Sequence, residues 1–475
     1  MLTNLERAAA RRRLARRQPG PQGRPNPDLT AGTDTLPQIE HIVILMMENH
    51  SYDNYFGVLD HGDGLELDQQ GRPLATNPSA DGTPVRMRRF NGTVQQPEVP
   101  TQSWNASHIQ WDGGANTGFV RSVEQTLPAG LDASIPMSYW TGQDLPFYSG
   151  LARTFPLATR WFCSCLGPTF PNRRFLISGT ANGMIDDLPF TMLEQPAHGT
   201  IFDQLEAHGI TWANYHQLSP LRIGWRRLSH AHGLNFLRLA AALIAGLLPR
   251  LIPALTAKLQ VTADLYPLGF FRSVTHLRSI GRFWADAAAG TLPSVSIVDP
   301  DFGRSSEENP QDIRVGEALA AQVVNAVMVG PGWPKTLLIW LYDEHGGYYD
   351  HVPPPPAEPP DDVPGRNPLS RFPLNLLRWT SLGRRIEEAD TGPDTYAQLG
   401  FRVPAVVVSP YARPGHVSDQ VYDHTSVLKF IERKWNLPPL TRRDAAAHDF
   451  TDDLLDLDGP PAFAVPPSLP PPGRP

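Results

Sequence analysis

The stretch LLIWLYDEHGGYYDH, residues 337–351, joins an apolar run to a polar turn. Residues 337–341 are all apolar, which is typical of a strand that is buried on both faces of a sheet. Asp343 and Glu344 follow, and the two glycines after His345 allow the chain to turn. Because neighbouring residues of a strand point to opposite faces, both carboxylates serve one site only where the chain leaves the sheet. The stretch therefore predicts a strand that carries negative charge to its own end.

Two adjacent carboxylates repel each other when they are buried, unless a cation offsets their charge. A hard divalent metal ion, which prefers oxygen ligands, is the first hypothesis for Asp343 and Glu344. The alternative is an acidic turn that lies in solvent after an edge strand. The stretch by itself is compatible with both interpretations.

Other apolar runs along the chain also end in polar residues. The polar residues that follow apolar runs are Glu48, Asn49, Thr169, Asp301, Asp343, Glu344 and Ser409. Segments with helical periodicity, such as residues 315–329, alternate with these runs. The alternation predicts an α/β fold, a three-layer α/β/α sandwich with a mainly parallel central sheet. Since ligands bind at the carboxyl ends of the strands in such sheets, we expect these polar residues at one edge.

The segment GPTFPNRR presents a hydroxyl between two prolines, at Thr169. The prolines keep Thr169 outside regular hydrogen bonding, at the predicted start of a helix. The N–H groups and the dipole of a helix N terminus favour an anion such as phosphate. Asn172 and Arg173, one turn later, add donors that suit phosphate oxygens. The alternative is that Thr169 serves only as an N-cap.

Length and composition leave the domain count open, because 475 residues suit one large α/β domain with insertions or two to three ordinary domains. We predict a single catalytic domain over residues 37–458. A basic disordered arm, residues 1–36, precedes it, and a proline-rich disordered tail, residues 459–475, follows it. The net charge of −7 gives no indication of a nucleic-acid partner.

The cellular location of the protein is predicted from its cysteines and its N terminus. The two cysteines, Cys163 and Cys165, are too close together to form an unstrained disulfide and are expected to be buried. The basic N terminus lacks the apolar segment of a secretory signal. These features favour a protein of the cytoplasm or of the membrane periphery, with export by an unusual route left open.

Residues 221–262 differ in character from the rest of the chain, because a basic run precedes a largely apolar segment. The uncharged part is too short to cross a bilayer. A helix in the membrane interface and a lid over an apolar substrate both suit this composition. A helical hairpin packed on the domain is the alternative.

Four motifs together resemble a known family. They are MMENHSYDNYFG (46–57), GPTFPNRRFLISGT (167–180), YDEHGGYYDHVPPP (342–355) and VPAVVVSPYARPGHVSDQVYDHTSVLKFIE (403–432). In this order they resemble the phosphoesterase family, which contains bacterial phospholipases C, acid phosphatases of the AcpA type and plant non-specific phospholipases C. The resemblance covers most of residues 38–455 and implies an alkaline-phosphatase-like fold. It further implies metal ligands at Glu48, Asn49, Asp343 and Glu344, with Thr169 as nucleophile.

The resemblance does not supply a general acid. Gln102 and Asn309 stand where members of the family often have histidines. We therefore take His345, beside the carboxylates, as the first candidate to protonate the leaving alkoxide. His108 and His216 are the second choices. His108 lies between two tryptophans, where packing is the more common role.

The expected function is metal-dependent hydrolysis of phosphate esters through a phosphothreonine, most simply by a phospholipase C-type phosphodiesterase. A phosphomonoesterase of the acid-phosphatase type is one alternative, and a non-catalytic lipid- or anion-binding relative is another. The cofactor would be a divalent ion, Ca²⁺, Mg²⁺, Mn²⁺ or Zn²⁺. The expected partner is a phosphate-ester substrate such as a phospholipid, with peripheral membrane contact through residues 221–262.

Overall fold

The computed structural model of the chain describes residues 11–12, 15, 23–187, 195–217, 262–265, 275–367 and 395–474. Its strands, numbered along the chain, are β1 (His41–Met47), β2 (Thr76–Pro78), β3 (Pro84–Arg86), β4 (Arg88–Arg89), β5 (Ser138–Tyr139), β6 (Leu157–Ala158), β7 (Trp212–His216), β8 (Leu277–Ser279), β9 (Val295–Val298), β10 (Thr336–Tyr342), β11 (Ala405–Val408) and β12 (Val417–Ser418). Eight of them form one sheet in the order β12-β6-β11-β10-β1-β9-β7-β8. Two short pairs, β2–β3 and β4–β5, lie outside it.

The α-helices of the described residues are numbered in the same way. They are α1 (Tyr52–Phe56), α2 (Trp104–Trp111), α3 (Phe119–Thr126), α4 (Pro146–Thr154), α5 (Thr169–Ser178), α6 (Ile201–His208), α7 (Ile280–Ala289), α8 (Ile313–Val329), α9 (His424–Trp435), α10 (Arg442–Ala446) and α11 (Thr451–Leu454). None of the described helices combines the length and the apolar character that a membrane crossing needs.

The centre of the sheet is parallel and buried. β1 pairs in parallel with β10 on one side and with β9 on the other. β7 lies between β9 and β8 and pairs in parallel with both. Every residue of β10 is buried, which requires cover on both faces of the sheet. α8 packs on β1 and β10 and contacts α4 and α7, whereas α5 contacts α6 and α9. Two groups of helices around a mainly parallel sheet confirm the predicted α/β fold.

One strand runs against the others and corrects a prediction. β11 is antiparallel to β10, and Val408 pairs with Leu338 near the start of β10. Ser409 therefore lies at the opposite edge of the sheet from Asp343, which follows the end of β10. The expectation that Ser409 joins the other polar residues at one edge is wrong, because it assumed a parallel β11.

The proline-rich tail lies against the domain over its described part, residues 459–474. Phe463 packs on Phe155 with ring centroids 4.7 Å apart, and Trp333 Nε1 donates to the carbonyl oxygen of Phe463 (2.9 Å). The backbone N–H of Gly473 donates to Glu317 Oε2 (2.7 Å). The prediction of a disordered tail does not hold for this part, because its backbone and its apolar side chains find partners on the domain.

The two other predicted appendages are only partly within the described residues. In the predicted arm, Asn26 and Asn436 hydrogen-bond each other through backbone and side chain at 2.8 Å, which ties residues 23–36 to the end of α9. The predicted insertion, residues 221–262, lies outside the described residues except for Thr262.

Candidate active site

The ends of β1 and β10 bring the four predicted metal ligands together. Met47 pairs with Tyr342, so Glu48–Asn49 and Asp343–Glu344 leave the sheet side by side. The backbone N–H groups of Asn49 and Glu344 both donate to Asp343 Oδ1, at 3.3 and 2.7 Å. All four side chains are at most 3% exposed. We call these four residues the candidate metal site.

Gly346 locks the two halves of the candidate metal site against each other. Its φ of 66° lies in the left-handed region, as does the φ of 70° at Asn49. A Cβ at Gly346 would lie 1.9 Å from the carbonyl oxygen of Asn49. The turn after β10 thus requires glycine for both its conformation and the close approach to β1.

Replacing Gly346 with alanine should lower the free energy of unfolding by more than about 2 kcal/mol. The reason is that the cost of the left-handed conformation and the cost of the backbone clash add to each other. Gly71→Ala is the matched control, since Gly71 has a φ of 72° and no atom within 4 Å of an added Cβ. It should cost only about 1 kcal/mol. Urea unfolding of both variants measures the difference, and equal losses would show that the contact with Asn49 is unimportant.

Buried oxygen atoms without partners mark the candidate metal site. Glu48 Oε2, Asn49 Oδ1 and Glu344 Oε1 are buried and accept no hydrogen bond from the described residues. Burial, with repulsion from Asp343, raises the pKa of both Glu48 and Glu344 well above the ordinary carboxyl value. Unsatisfied buried polar atoms are rare and call for a ligand or an ion. A set of carboxylate and amide oxygens fits a hard divalent cation.

All three guanidinium nitrogens of Arg173 contact other groups of the protein. Its Nε donates to Asp343 Oδ2 (2.9 Å), Nη1 faces Thr262 Oγ1 (3.0 Å) and Asp299 Oδ1 (3.4 Å), and Nη2 faces the carbonyl oxygens of residues 46 and 47 (3.2 Å each). The side chain is fully buried. The predicted contact between Arg173 and phosphate is therefore not supported, because its N–H groups are already engaged. Arg173 instead fixes Asp343 and offsets its charge.

Asn172 is also engaged within the protein. Its Nδ2 donates to the carbonyl oxygens of Gly167 (2.9 Å) and Pro168 (3.1 Å), and its Oδ1 accepts from the backbone N–H of Cys165 (3.0 Å). A direct phosphate contact is not supported for this buried side chain either. Asn172 holds in place the loop that leads to Thr169.

Thr169 is the first residue of α5, and Pro168 occupies the N-cap position without a side-chain hydrogen bond. The alternative that Thr169 is the N-cap is therefore wrong. The backbone N–H of Phe170 donates to Asp187 Oδ1 (2.7 Å), so a carboxyl group lies where the helix N terminus was expected to receive an anion. Burial raises the pKa of Asp187 to about 8 and that of the nearby Glu308 to about 7.

His345 is buried, against the expectation of a proton donor to the leaving group. Its Nε2 lies 2.7 Å from Gln110 Oε1 and its ring 4.5 Å from the ring of Phe401. Burial lowers the pKa of His345 to about 3, so the ring is neutral near pH 7. A neutral imidazole is a poor general acid, and the contacts of His345 with Gln110 and Phe401 favour a packing role.

The other predicted histidines differ in position. His108 Nδ1 donates to the carbonyl oxygen of Trp104 (2.7 Å), and a Cβ at Gly167 would lie 2.8 Å from the Trp104 ring, which places α2 beside the loop before Thr169. His108 is half-buried and stays a candidate for proton transfer. His216 is buried at the end of β7. His424 Nε2 donates to the carbonyl oxygen of Asp343 (2.7 Å), which is a structural contact.

A second group of carboxylate and imidazole side chains has the spacing of metal ligands. Asp53, Asp350 and His351 could hold an ion, since their ligand atoms lie within 4.8 Å of one another. Arg402 already binds both carboxylates, with Nε 2.8 Å from Asp350 and Nη2 3.0 Å from Asp53. Because Arg402 binds both carboxylates of this group, the group differs from the candidate metal site, where Glu48 Oε2, Asn49 Oδ1 and Glu344 Oε1 have no partner among the described residues.

Comparison with known proteins agrees with the motifs. The family model described as "Phosphoesterase family" matches residues 39–438. The chain belongs to the phosphoesterase family. Family membership confirms the prediction of a hydrolase that acts on phosphoric ester bonds.

Among the relatives of this phosphoesterase, Phospholipase C A of Mycobacterium tuberculosis is 30% identical over 466 residues, which cover 91% of this chain and 79% of that protein. Non-specific phospholipase C6 of Arabidopsis thaliana is 27% identical over 448 residues, which cover 89% of this chain and 73% of that protein. Hemolytic phospholipase C of Pseudomonas aeruginosa is 28% identical over 93% of this chain and 59% of its own length.

Among solved structures, a protein of the alkaline phosphatase superfamily from Vibrio parahaemolyticus is similar to 94% of this chain and 79% of its own. The sequence identity is 10% and the TM-score is 0.38.

Proposed function

We propose that the protein is a metal-dependent phosphodiesterase of the phospholipase C type with Thr169 as its nucleophile. The observation that carries the proposal is the trio of unpartnered buried oxygens on Glu48, Asn49 and Glu344, at the sheet edge formed by the ends of β1 and β10. A divalent cation bound there would lower the pKa of the threonine hydroxyl and offset charge on the phosphate oxygens.

The chain's own residues divide the work in this proposal. Thr169 gives up its hydroxyl proton and Oγ1 attacks phosphorus in line, the P–O bond to the leaving alkoxide breaks, and the alkoxide takes up a proton. Water then hydrolyses the phosphothreonine, which still carries the second ester group of a diester substrate, and releases the phosphomonoester. Asn172 holds the preceding loop, and Arg173 holds Asp343 through a 2.9 Å contact. These two residues act on the geometry of the site, on which phosphoryl transfer depends.

The choice of a phosphodiester over a monoester rests on two relatives that are named phospholipases C and are 30% and 27% identical to this chain. The apolar and basic composition of residues 221–262 adds support, because it suits contact with a lipid surface. A phosphomonoesterase of the acid-phosphatase type would use the same nucleophile and the same metal ligands. The two functions differ in the substrate alone.

A substrate panel tests the proposal. Metal-depleted and metal-restored protein is assayed with an aryl phosphate, an aryl phosphorylcholine and phosphatidylcholine. We expect turnover of the two diesters, more than about tenfold faster than of the monoester, only after metal is restored. Preference for the aryl phosphate would favour the monoesterase. Binding to phosphatidylcholine vesicles without release of phosphorylcholine or phosphate under any metal would favour a non-catalytic relative.

A further inference from the structure

A buried carboxylate lies beside the candidate metal site, on Glu307 in the loop after β9. Tyr148 Oη donates to its Oε1 at 2.6 Å, and Tyr55 Oη and Tyr342 Oη donate to its Oε2 at 2.5 and 2.6 Å. Glu307 is fully buried and forms no ion pair within the described residues. Three phenol groups therefore take the place of an ion pair, and burial still raises the pKa of Glu307 to about 8.

The three tyrosines belong to different parts of the site. Tyr342 is the last residue of β10 and directly precedes Asp343. Tyr55 lies on α1, the short helix that begins just after Glu48 and Asn49. Tyr148 lies on α4, which carries none of the predicted metal ligands. Through Tyr55 and Tyr342, one carboxylate joins the two chain segments that carry the ligands.

The carboxylate itself has little freedom to move. Glu307 has a φ of 77°, in the left-handed region that residues other than glycine rarely adopt. Its carbonyl oxygen accepts from His50 Nε2 (3.2 Å) and from Gln95 Nε2. On the other side, α8 leaves room only because residue 316 is glycine, since a Cβ at Gly316 would lie 2.2 Å from Glu307 Cγ.

We propose that Glu307 is a positioning residue that holds the ends of β1 and β10 at the spacing required to bind one divalent cation. Its carboxylate fixes Tyr342 next to Asp343, and it fixes Tyr55 on the helix that follows Asn49. Partners behind the ligands of a metal set the orientation of those ligands and hence the affinity. The inference rests on the metal site of the proposed function.

The test compares three variants that each remove one phenol donor from the same carboxylate. Metal-depleted wild type, Tyr342→Phe, Tyr55→Phe and Tyr148→Phe are titrated with Mn²⁺, and in parallel with Mg²⁺, Ca²⁺ and Zn²⁺, by calorimetry. We expect the Kd to rise about 10–100-fold in Tyr342→Phe and Tyr55→Phe. Tyr148→Phe is the matched control and should change the Kd less than about threefold, because α4 carries no ligand.

Unfolding of the metal-free variants separates positioning from general stability. Similar melting temperatures for the three variants, with a higher Kd for two of them, support the inference. Unchanged Kd values, or the same loss of affinity in all three, would overturn it while leaving the proposed function intact. If wild type binds none of the four ions, the proposed function and the inference both fail.

Gly316→Ala offers a second route to the same result, because it displaces Glu307 without altering a tyrosine. We expect its Kd to rise within the same 10–100-fold range. A Kd equal to that of wild type in a folded Gly316→Ala protein would count against the positioning role.

Discussion

Replacing Thr169 with alanine should lower kcat by at least about 10⁴-fold and leave the bound metal in place. The reason is that alanine removes the nucleophile, whereas the unpartnered oxygens of the candidate metal site belong to residues that follow β1 and β10 and not to α5. Steady-state assays on the preferred diester measure the loss, and elemental analysis of the dialysed protein measures the metal.

Thr169→Ser is the matched control, since it keeps the hydroxyl and the start of α5. It should retain turnover within about 100-fold of wild type. Acid quenching of the wild type during turnover of an aryl phosphorylcholine, followed by mass spectrometry, should find phosphorylcholine on the peptide that contains Thr169. Turnover by Thr169→Ala close to the wild-type rate would rule out this nucleophile.

Replacing Glu344 with glutamine should weaken metal binding by more than about 100-fold. Glu344 Oε2 accepts from the backbone N–H of Gly346 (2.7 Å), and Oε1 has no partner in the described residues. The amide oxygen of glutamine can keep the bond to Gly346, so its NH₂ group would then face the cation. Calorimetric titration and the metal content after dialysis measure the effect.

Glu317→Gln provides a control of matched chemistry for this experiment. Glu317 is also buried, but its Oε1 accepts from the N-terminal amides of α4 at Phe147 (2.8 Å) and Tyr148 (3.3 Å). Its replacement should leave the metal content unchanged. A metal content in Glu344→Gln equal to that of the control would contradict the candidate metal site.

Asp343→Asn is a less informative change, although Asp343 is a predicted ligand. Asp343 Oδ2 is the 2.9 Å partner of Arg173 Nε, so the variant leaves a buried guanidinium short of one negative charge. Breaking a buried pair in this way costs about 3–5 kcal/mol. Any loss of metal would then be mixed with a loss of stability, which is why Glu344 is the better test.

Local patterns in the sequence were sufficient to predict most of the fold. Apolar runs at β1, β9 and β10 and helical periodicity at α8 and α9 are properties of a few neighbouring residues, and the structure has these elements in place. Strand direction is not a local property. β11 is as apolar as β10, yet it runs antiparallel to β10, which moved Ser409 to the far edge.

In the candidate site, too, some features follow from local sequence and others do not. Glu48, Asn49, Asp343 and Glu344 directly follow strands, so a rule about strand ends was enough to bring them together. The other polar contacts join residues that are far apart along the chain. Arg173 meets Asp343 and Asp299, Phe170 meets Asp187, and Glu307 meets Tyr55, Tyr148 and Tyr342.

The interpretation of His345 as a proton donor lacks support for a physical reason of the same kind. A histidine beside two carboxylates suggests a proton donor when the surroundings are wet. In the structure, Phe119 and Phe401 cover the ring, and burial lowers its pKa to about 3. Solvent exposure depends on the packing of α3 and of the segment before β11, which no pattern around residue 345 contains.

The guanidinium of Arg173 is a permanent positive charge among the acidic side chains of the site. It is covalently part of α5 and contacts Asp343 and Asp299, so part of the negative charge is offset whether or not an ion is bound. Chelation should consequently yield a folded apoprotein that regains its ion on dialysis. The metal ion would then bind and dissociate reversibly while the protein stays folded. The activity of one preparation could therefore be measured with several metals in turn.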